Sequence, residues 1–197
     1  MEIQTIIFIG PQGSGKGTQI EKLKSVLEAL DSHPVIDIQT GRCFRTLAAK
    51  QETFAEKKVS KTLSLGTLQP DFLVAMLWSQ VMIEELSTDN HLLIDGFPRT
   101  VGQIPDLEDA FNFFERPSVV VINLETPEEI VRARMIIRAR NDDTKDSIEE
   151  RLRWYREDTL PVLEFYKTRP NTEVINIDGT KSIEEVHTDI LSALKIL

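Results

Sequence analysis

Apolar positions in this chain fall into two kinds of run. Short unbroken apolar stretches recur, such as Ile6-Ile7-Phe8-Ile9 and Val119-Val120-Val121-Ile122. Parallel strands covered on both faces read this way. They predict strands over residues 5–9, 35–38, 91–95, 118–124 and 173–177. Between them the apolar residues recur at helical spacing. That pattern predicts helices over residues 17–30, 41–50, about 54–65, 71–86, 103–113, 127–138, 147–168 and 182–196. Strands alternating with helices predict an α/β domain, a doubly wound parallel five-stranded sheet flanked by helices. A simple crossover needs one helix, yet residues 41–86 are helical throughout. The surplus is expected to form an insert over the sheet edge, a mobile flap. No Pro/Gly/Ser linker interrupts the pattern, so one domain over residues 1–197 is expected.

The first strand runs into Gly10-Pro11-Gln12-Gly13-Ser14-Gly15-Lys16-Gly17-Thr18, and a helix follows. Strand, glycine-rich turn, lysine and helix, in that order, make a phosphate-binding P-loop. Glycines let backbone N–H groups curl around an anion, and the helix N-terminus adds free donors and a positive dipole end. Lys16 supplies a mobile charge for outer phosphates. Thr18 offers a hydroxyl near a phosphate or Mg²⁺, one residue later than many such loops place it. A glycine-rich turn without a ligand is the competing reading.

The net charge of −9 and the pI near 4.9 argue against nucleic acid or an anionic membrane as partner. They also make local arginine clusters more telling. A single cysteine, Cys43, permits no internal disulfide and points to a reducing compartment, the cytoplasm. The opening Met1-Glu2-Ile3-Gln4 lacks the pattern of a signal peptide, and no apolar run approaches membrane-spanning length.

Three further elements carry charge toward the strand ends. The third strand ends in Asp95, followed by Gly96-Phe97-Pro98-Arg99. An acid closing a strand beside a P-loop is placed to organise Mg²⁺, through water because Mg²⁺ sheds its waters reluctantly. The tight turn would aim Arg99 over the strand ends; a surface turn with a solvated arginine is the alternative. Thr40-Gly41-Arg42-Cys43-Phe44-Arg45 opens the helical insert, with Thr40 as expected helix cap and Arg45 a turn further on. By itself this segment reads as a plain capped surface helix. Arg134 and Arg138, spaced i,i+4, share a helix face, with Arg132, Arg140 and Arg151 near in sequence. They form either a phosphate clamp or a face paired with Glu128, Glu129, Asp142 and Asp143. His33, His91 and His187 adjoin none of these motifs and read as surface or strand-end residues.

Together the parts describe phosphoryl transfer: a cradled nucleotide, a metal, and arginines around the moving group. An anionic phosphate acceptor needs no dedicated general base.

The motifs resemble those of the adenylate kinase family of nucleoside monophosphate kinases, nearly end to end. The resemblance rests on Gly10–Thr18, Thr40 to Arg45, Gly66 to Asp71, Asp95 to Gln103, Arg134 with Arg138, Arg140 to Asp143, Glu150 to Leu152 and Ile177 to Lys181. It implies that Gly13, Ser14, Gly15, Lys16, Gly17 and Thr18 hold ATP phosphates, with backbone near Lys181 against the adenine. AMP would be held by Thr40, Arg45, Gly96, Phe97, Pro98, Arg99 and Gln103, with Thr67, Leu68 and Gln69 lining its base pocket. Arg134, Arg138, Arg140 and Arg151 would surround the transferred phosphoryl group, and Thr18 and Asp95 would serve Mg²⁺. It implies a helical insert over about residues 40–69 and a lid of about residues 138–141, in a monomer using Mg·ATP and AMP without zinc. Two departures stand out. Arg42 occupies a position where the family commonly has an acid, and only Ala139 separates Arg138 from Arg140, so the lid is nearly absent. The expected activity is reversible transfer from Mg·ATP to AMP. A UMP/CMP or broad-specificity kinase, or a regulatory nucleotide-binding module, are the alternatives.

Overall fold

The computed structural model describes residues 2–196, so Met1 of the opening stretch lies outside them. Five strands, β1 (Thr5–Ile9), β2 (Val35–Gln39), β3 (His91–Asp95), β4 (Val119–Glu125) and β5 (Thr172–Asp178), pair in parallel in the order β2-β3-β1-β4-β5. The register sets Phe8 beside Asp95 and Ile9 beside Asn123. All strands therefore end on one edge, where open α/β sheets bind ligands.

Alternation along each strand divides the core between the two faces of the sheet. On one side Ile7, Ile9, Ile94 and Val121 pack against α4 (Asp71–Glu85), α5 (Ile104–Phe113) and α8 (Leu160–Thr168), where Trp78, Phe111 and Tyr166 are buried. On the other, Ile6, Phe8, Leu93 and Ile122 pack against α1 (Lys16–Leu30) and α9 (Ile183–Ala193). Each fully buried aliphatic chain of this kind contributes about 1.5–3 kcal/mol. The surplus helices α2 (Thr40–Lys50) and α3 (Phe54–Ser64) pack on each other beyond the β2 edge, α3 opening with a capping box between Thr53 and Glu56.

Three sequence expectations change. Thr40 is the first residue of α2 and not its cap: β2 enters the helix directly, and the extended Gln39 holds the cap position without a side-chain bond. The long helix expected over residues 147–168 is three pieces. Its start is the capping box of Thr144 with Ser147, so α7 spans Lys145–Trp154. Pro161 then lacks the N–H that an α-helix would direct to Glu157, and the chain widens into a π-turn over Tyr155–Thr159 before α8. Finally, His91 and His187 are buried, not surface residues; His91 does open a strand, but His187 lies on α9. His91 accepts a hydrogen bond from Gln4 N at Nδ1 (3.0 Å), and its Nε2 faces Asp31.

Among the described residues, no helix is long and apolar enough to cross a membrane.

Candidate active site

A cavity of about 620 Å³ opens over the C-terminal strand ends. Its lining includes Lys16, Arg42, Arg45, Arg99, Arg134, Arg138, Arg140, Arg151 and Lys181 against the acids Glu21, Asp95 and Asp142. This basic hollow sits in a chain of net charge −9, which is how an anionic ligand site reads.

The P-loop forms one wall. Gly13 has φ +91, and a Cβ there would lie 2.8 Å from Val131 O, so only glycine lets the loop tuck under α6 (Glu128–Arg138). Lys16 Nζ folds back to donate to Gly10 O (2.8 Å) and Pro11 O (2.9 Å). Burial pulls its pKa from 10.5 down to about 8; Asp95 opposes the fall, and Arg99 and Arg138 add to it. Ser14, Gly15, Gly17 and Thr18 also face the cavity.

Asp95 ends β3 beside the loop. Its Oδ1 is buried with no hydrogen-bond partner among the described residues. Such an atom needs a donor or a cation, and an oxygen ligand suits the water shell of Mg²⁺. The site residues thus fit the metal that accompanies a nucleotide triphosphate. Among the described residues no cluster of three or more His, Cys, Asp or Glu is arranged to hold a metal by itself.

Arg99 faces the opposite wall. Its Nε donates to Gly96 O (2.8 Å), its backbone N donates to Gln103 Oε1 (2.8 Å), and its guanidinium lies 4.8 Å from the centre of the Trp154 ring. Burial lowers its pKa to about 10, with Asp95 resisting and Arg151 and Arg45 assisting. Gln103, itself buried, donates to Asp71 Oδ1 (2.7 Å). One amide hydrogen and one oxygen lone pair of Gln103 remain for a ligand. Thr40, Arg45, Thr67, Leu68, Gln69 and Gly96 line the same wall. Phe97 and Pro98 do not line this cavity: Phe97 lies beyond the end of β3, and the left-handed Gly96 (φ 92) breaks the strand's alternation, so the ring is buried on the Ile94 side of the sheet, stacked on Trp78 with 5.5 Å between centroids.

The arginines of α6 separate by direction. Arg132 turns outward to Glu149 (2.6 Å) and Glu128. Arg134 turns into the site, donating to Gly179 O (2.8 Å) and Ser14 O (3.4 Å). Arg138 makes a bidentate pair with Asp143 (2.8 and 2.9 Å). Ala139, in the left-handed region at φ 48, reverses the chain at once, and Arg151 on α7 reaches back to Asp142 and Asp143 (2.6 Å each). Burial opposes ionisation of Asp143, but Arg138 and Arg151 outweigh it and hold its pKa low. Arg138 and Arg151 are thus acid-paired, and both also line the cavity. A small apolar cluster of Val131, Met135, Ile148 and Leu152 ties α6 to α7 beneath this turn. Among the described residues, the Arg45 and Arg140 side chains have no acid partner. Burial lowers both their pKa values, Arg138 adding to the fall in each. Arg42 pairs with Glu21 of α1 (3.1 Å) and approaches Asp37 (3.7 Å). Lys181 Nζ pairs with Asp189 (2.7 Å), so its side chain is turned to α9 while the residue lines the donor end.

The motifs overlooked Trp154, Leu63 and Val74, which also line the cavity. Trp154 had one signal, a lone tryptophan in a polar run directly after Arg151. Leu63 and Val74 look like ordinary core residues in the sequence.

A P-loop at the end of a central parallel strand, faced by an arginine-lined second wall, defines the class of P-loop phosphotransferases. A family model for adenylate kinase matches residues 8–171. An adenylate kinase of Corynebacterium urealyticum is 34% identical over 96% of this chain and 98% of its own length. Adenylate kinase 1 of a Nostoc species is 34% identical, over 96% and 97%. An adenylate kinase of Leptospira biflexa is 33% identical, over 98% and 100%. The chain belongs to the adenylate kinase family. These relatives match it over nearly the whole of both lengths, so a compact chain of this size is an ordinary form among them.

Proposed function

We propose that this protein catalyses reversible phosphoryl transfer from Mg·ATP to AMP, giving two ADP. The observation that carries the proposal is the single cavity with two unlike walls. One wall is a P-loop with Lys16 and Thr18; the other is Arg45, Arg99, Gln103 and the loop Thr67-Leu68-Gln69.

In this reading Lys16 leaves the carbonyls of Gly10 and Pro11 to meet the outer phosphates of ATP. Its low pKa reflects a charge held in a dry site, which a phosphate dianion would restore. Asp95 and Thr18 would hold the Mg²⁺ of Mg·ATP, Asp95 through water, and the charge neutralisation of the donor phosphates would be supplied there. Arg45 and Arg99 grip the AMP phosphate, and Gly96 lets it approach the turn. Gln103 reads the adenine edge with its free amide hydrogen and lone pair; a base lacking the matching pair leaves these buried groups unsatisfied. Arg134, Arg138, Arg140 and Arg151 surround the moving phosphoryl group. Until the anion arrives, Asp143 bridges Arg138 and Arg151 and Asp142 holds Arg151 as well, and the exchange of these partners for the phosphoryl group offsets like-charge repulsion. Residues 40–69 form the acceptor-side insert and residues 138–141 a minimal lid, so closure comes chiefly from α2 and α3. The protein acts as a cytoplasmic monomer and has no nucleic-acid partner.

A coupled assay of ADP formation with ATP and each of AMP, CMP, UMP and GMP tests the proposal. AMP is expected to give the highest kcat/KM. Equal or better use of a pyrimidine monophosphate would move the acceptor assignment to the UMP/CMP class, and ATP binding without any transfer would reject the reading.

A further inference from the structure

The π-turn after α7 brings two side chains against one residue. In a helix of i→i+5 bonds, residues five apart lie over one another, as residues four apart do in an α-helix. Leu160 N donates to Tyr155 O, which sets that wider turn between Trp154 and Thr159. The Trp154 ring then lies under the Arg99 guanidinium at 4.8 Å, and Thr159 Oγ1 donates to Arg99 O at 2.9 Å. Trp154 also has a second attachment: its indole Nε1 donates to Gly66 O at 2.9 Å, just beyond the end of α3. Arg99 is thus fixed by Gly96 O at Nε and by an aromatic face beneath it. Among the described residues its terminal nitrogens make no hydrogen bond to the protein.

We propose that Trp154 is a positioning residue for the acceptor phosphate. It holds the plane of the Arg99 guanidinium in the cavity and registers that plane to the acceptor-side insert through Gly66. The inference rests on the acceptor wall proposed above. A guanidinium with one nitrogen tied and four N–H donors free would otherwise rotate about its last side-chain bonds. A flat ring beneath it removes that freedom and excludes water from one face, which strengthens its attraction for a phosphate. The arrangement explains why a large aromatic side chain, only 3% exposed, stands in the otherwise polar run Arg151-Leu152-Arg153-Trp154-Tyr155-Arg156.

The test is a binding cycle. AMP and ATP affinities are measured separately by calorimetry for the parent, Trp154→Leu, Trp154→Phe, Arg99→Ala and the double variant Trp154→Leu/Arg99→Ala. Trp154→Leu is expected to weaken AMP about tenfold and ATP less than about twofold. Trp154→Phe keeps an aromatic face and is expected to recover most of the loss. In the Arg99→Ala background, Trp154→Leu should add less than about twofold. Equal weakening of AMP and ATP, an undiminished penalty without Arg99, or parental AMP affinity in Trp154→Leu would each overturn the proposal. If Arg99→Ala leaves AMP affinity unchanged, the acceptor assignment fails and takes this proposal with it. A second readout needs no change at Trp154. The chain has two tryptophans, so Trp78→Phe leaves Trp154 as the sole indole emitter. AMP is expected to change its emission and adenosine, which lacks the phosphate, to leave it unchanged; matching responses to the two ligands, or none to AMP, would refute the role.

Discussion

Replacing Gly66 by alanine should loosen the acceptor wall and leave the donor wall in place. Gly66 has φ +73, and a Cβ there would lie 2.4 Å from Ser147 O, 2.8 Å from its Cα and 2.9 Å from its carbonyl carbon. All three are backbone atoms in the capping turn of α7, so no side chain can swing aside. The left-handed conformation costs alanine about 1–2 kcal/mol. Forcing a methyl into a closed contact adds about 1–3 kcal/mol. The sum, centred near about 3.5 kcal/mol, corresponds to a drop in Tm of about 7–14 °C for a chain of this length. The displacement falls on the joint between insert and α7, where Trp154 Nε1 meets Gly66 O and Arg151 meets Leu63 O. The KM for AMP should therefore rise several-fold while the KM for ATP stays near the parent value. Thermal unfolding and steady-state kinetics with each nucleotide varied in turn measure both effects. Gly17→Ala is the control for stability: its Cβ would meet only Gln39 Oε1 at 3.5 Å, an ordinary contact, and alanine favours the helix. A Gly66→Ala protein that melts with the parent and keeps its KM for AMP would refute this account of the joint.

Lys16→Ala and Arg99→Ala should each lower kcat/KM at least ~10²-fold with little change in Tm, since each removes one cation from charge developing in a dry site; a fall below about tenfold in a folded variant would contradict the assigned roles. Because Lys16 titrates near 8 in the free protein, kcat/KM for ATP should decline as pH rises through about 8, and Lys16→Arg should move that limb upward. His91 has the opposite pH consequence. Burial lowers its pKa below 6.5, against the pull of Asp31, so the unfolded chain takes up the proton first and stability falls as pH drops below about 6.5. His91→Gln should flatten that slope in denaturant titrations run from pH 7 to pH 5.

The sheet was readable in the sequence because strands buried on both faces leave unbroken apolar runs, and all five observed strands fall within a residue or so of those runs. The P-loop was readable because its glycines serve backbone geometry that no other residue permits. The direction of individual side chains was less legible. Phe97 sits inside a site motif, yet the left-handed Gly96 after β3 breaks the strand's alternation and turns the ring onto Trp78. The acid partners of Arg138 and Arg151 lie close in sequence, but only the left-handed turn at Ala139 decides which carboxylate meets which guanidinium. Trp154 and Thr159 share a face through a π-turn, a departure from helical spacing that periodicity does not register. The corrected cap at Thr40 has a similar origin: a strand that enters a helix without a loop has no room for a separate capping residue.

The most direct measurement of the central claim is phosphorus NMR of the purified protein with Mg²⁺, ATP and AMP. The account predicts that the ATP and AMP signals fall together while two ADP molecules appear for each ATP consumed. Starting from ADP alone, the same mixture should form in reverse. Steady growth of inorganic phosphate with AMP unchanged would contradict it.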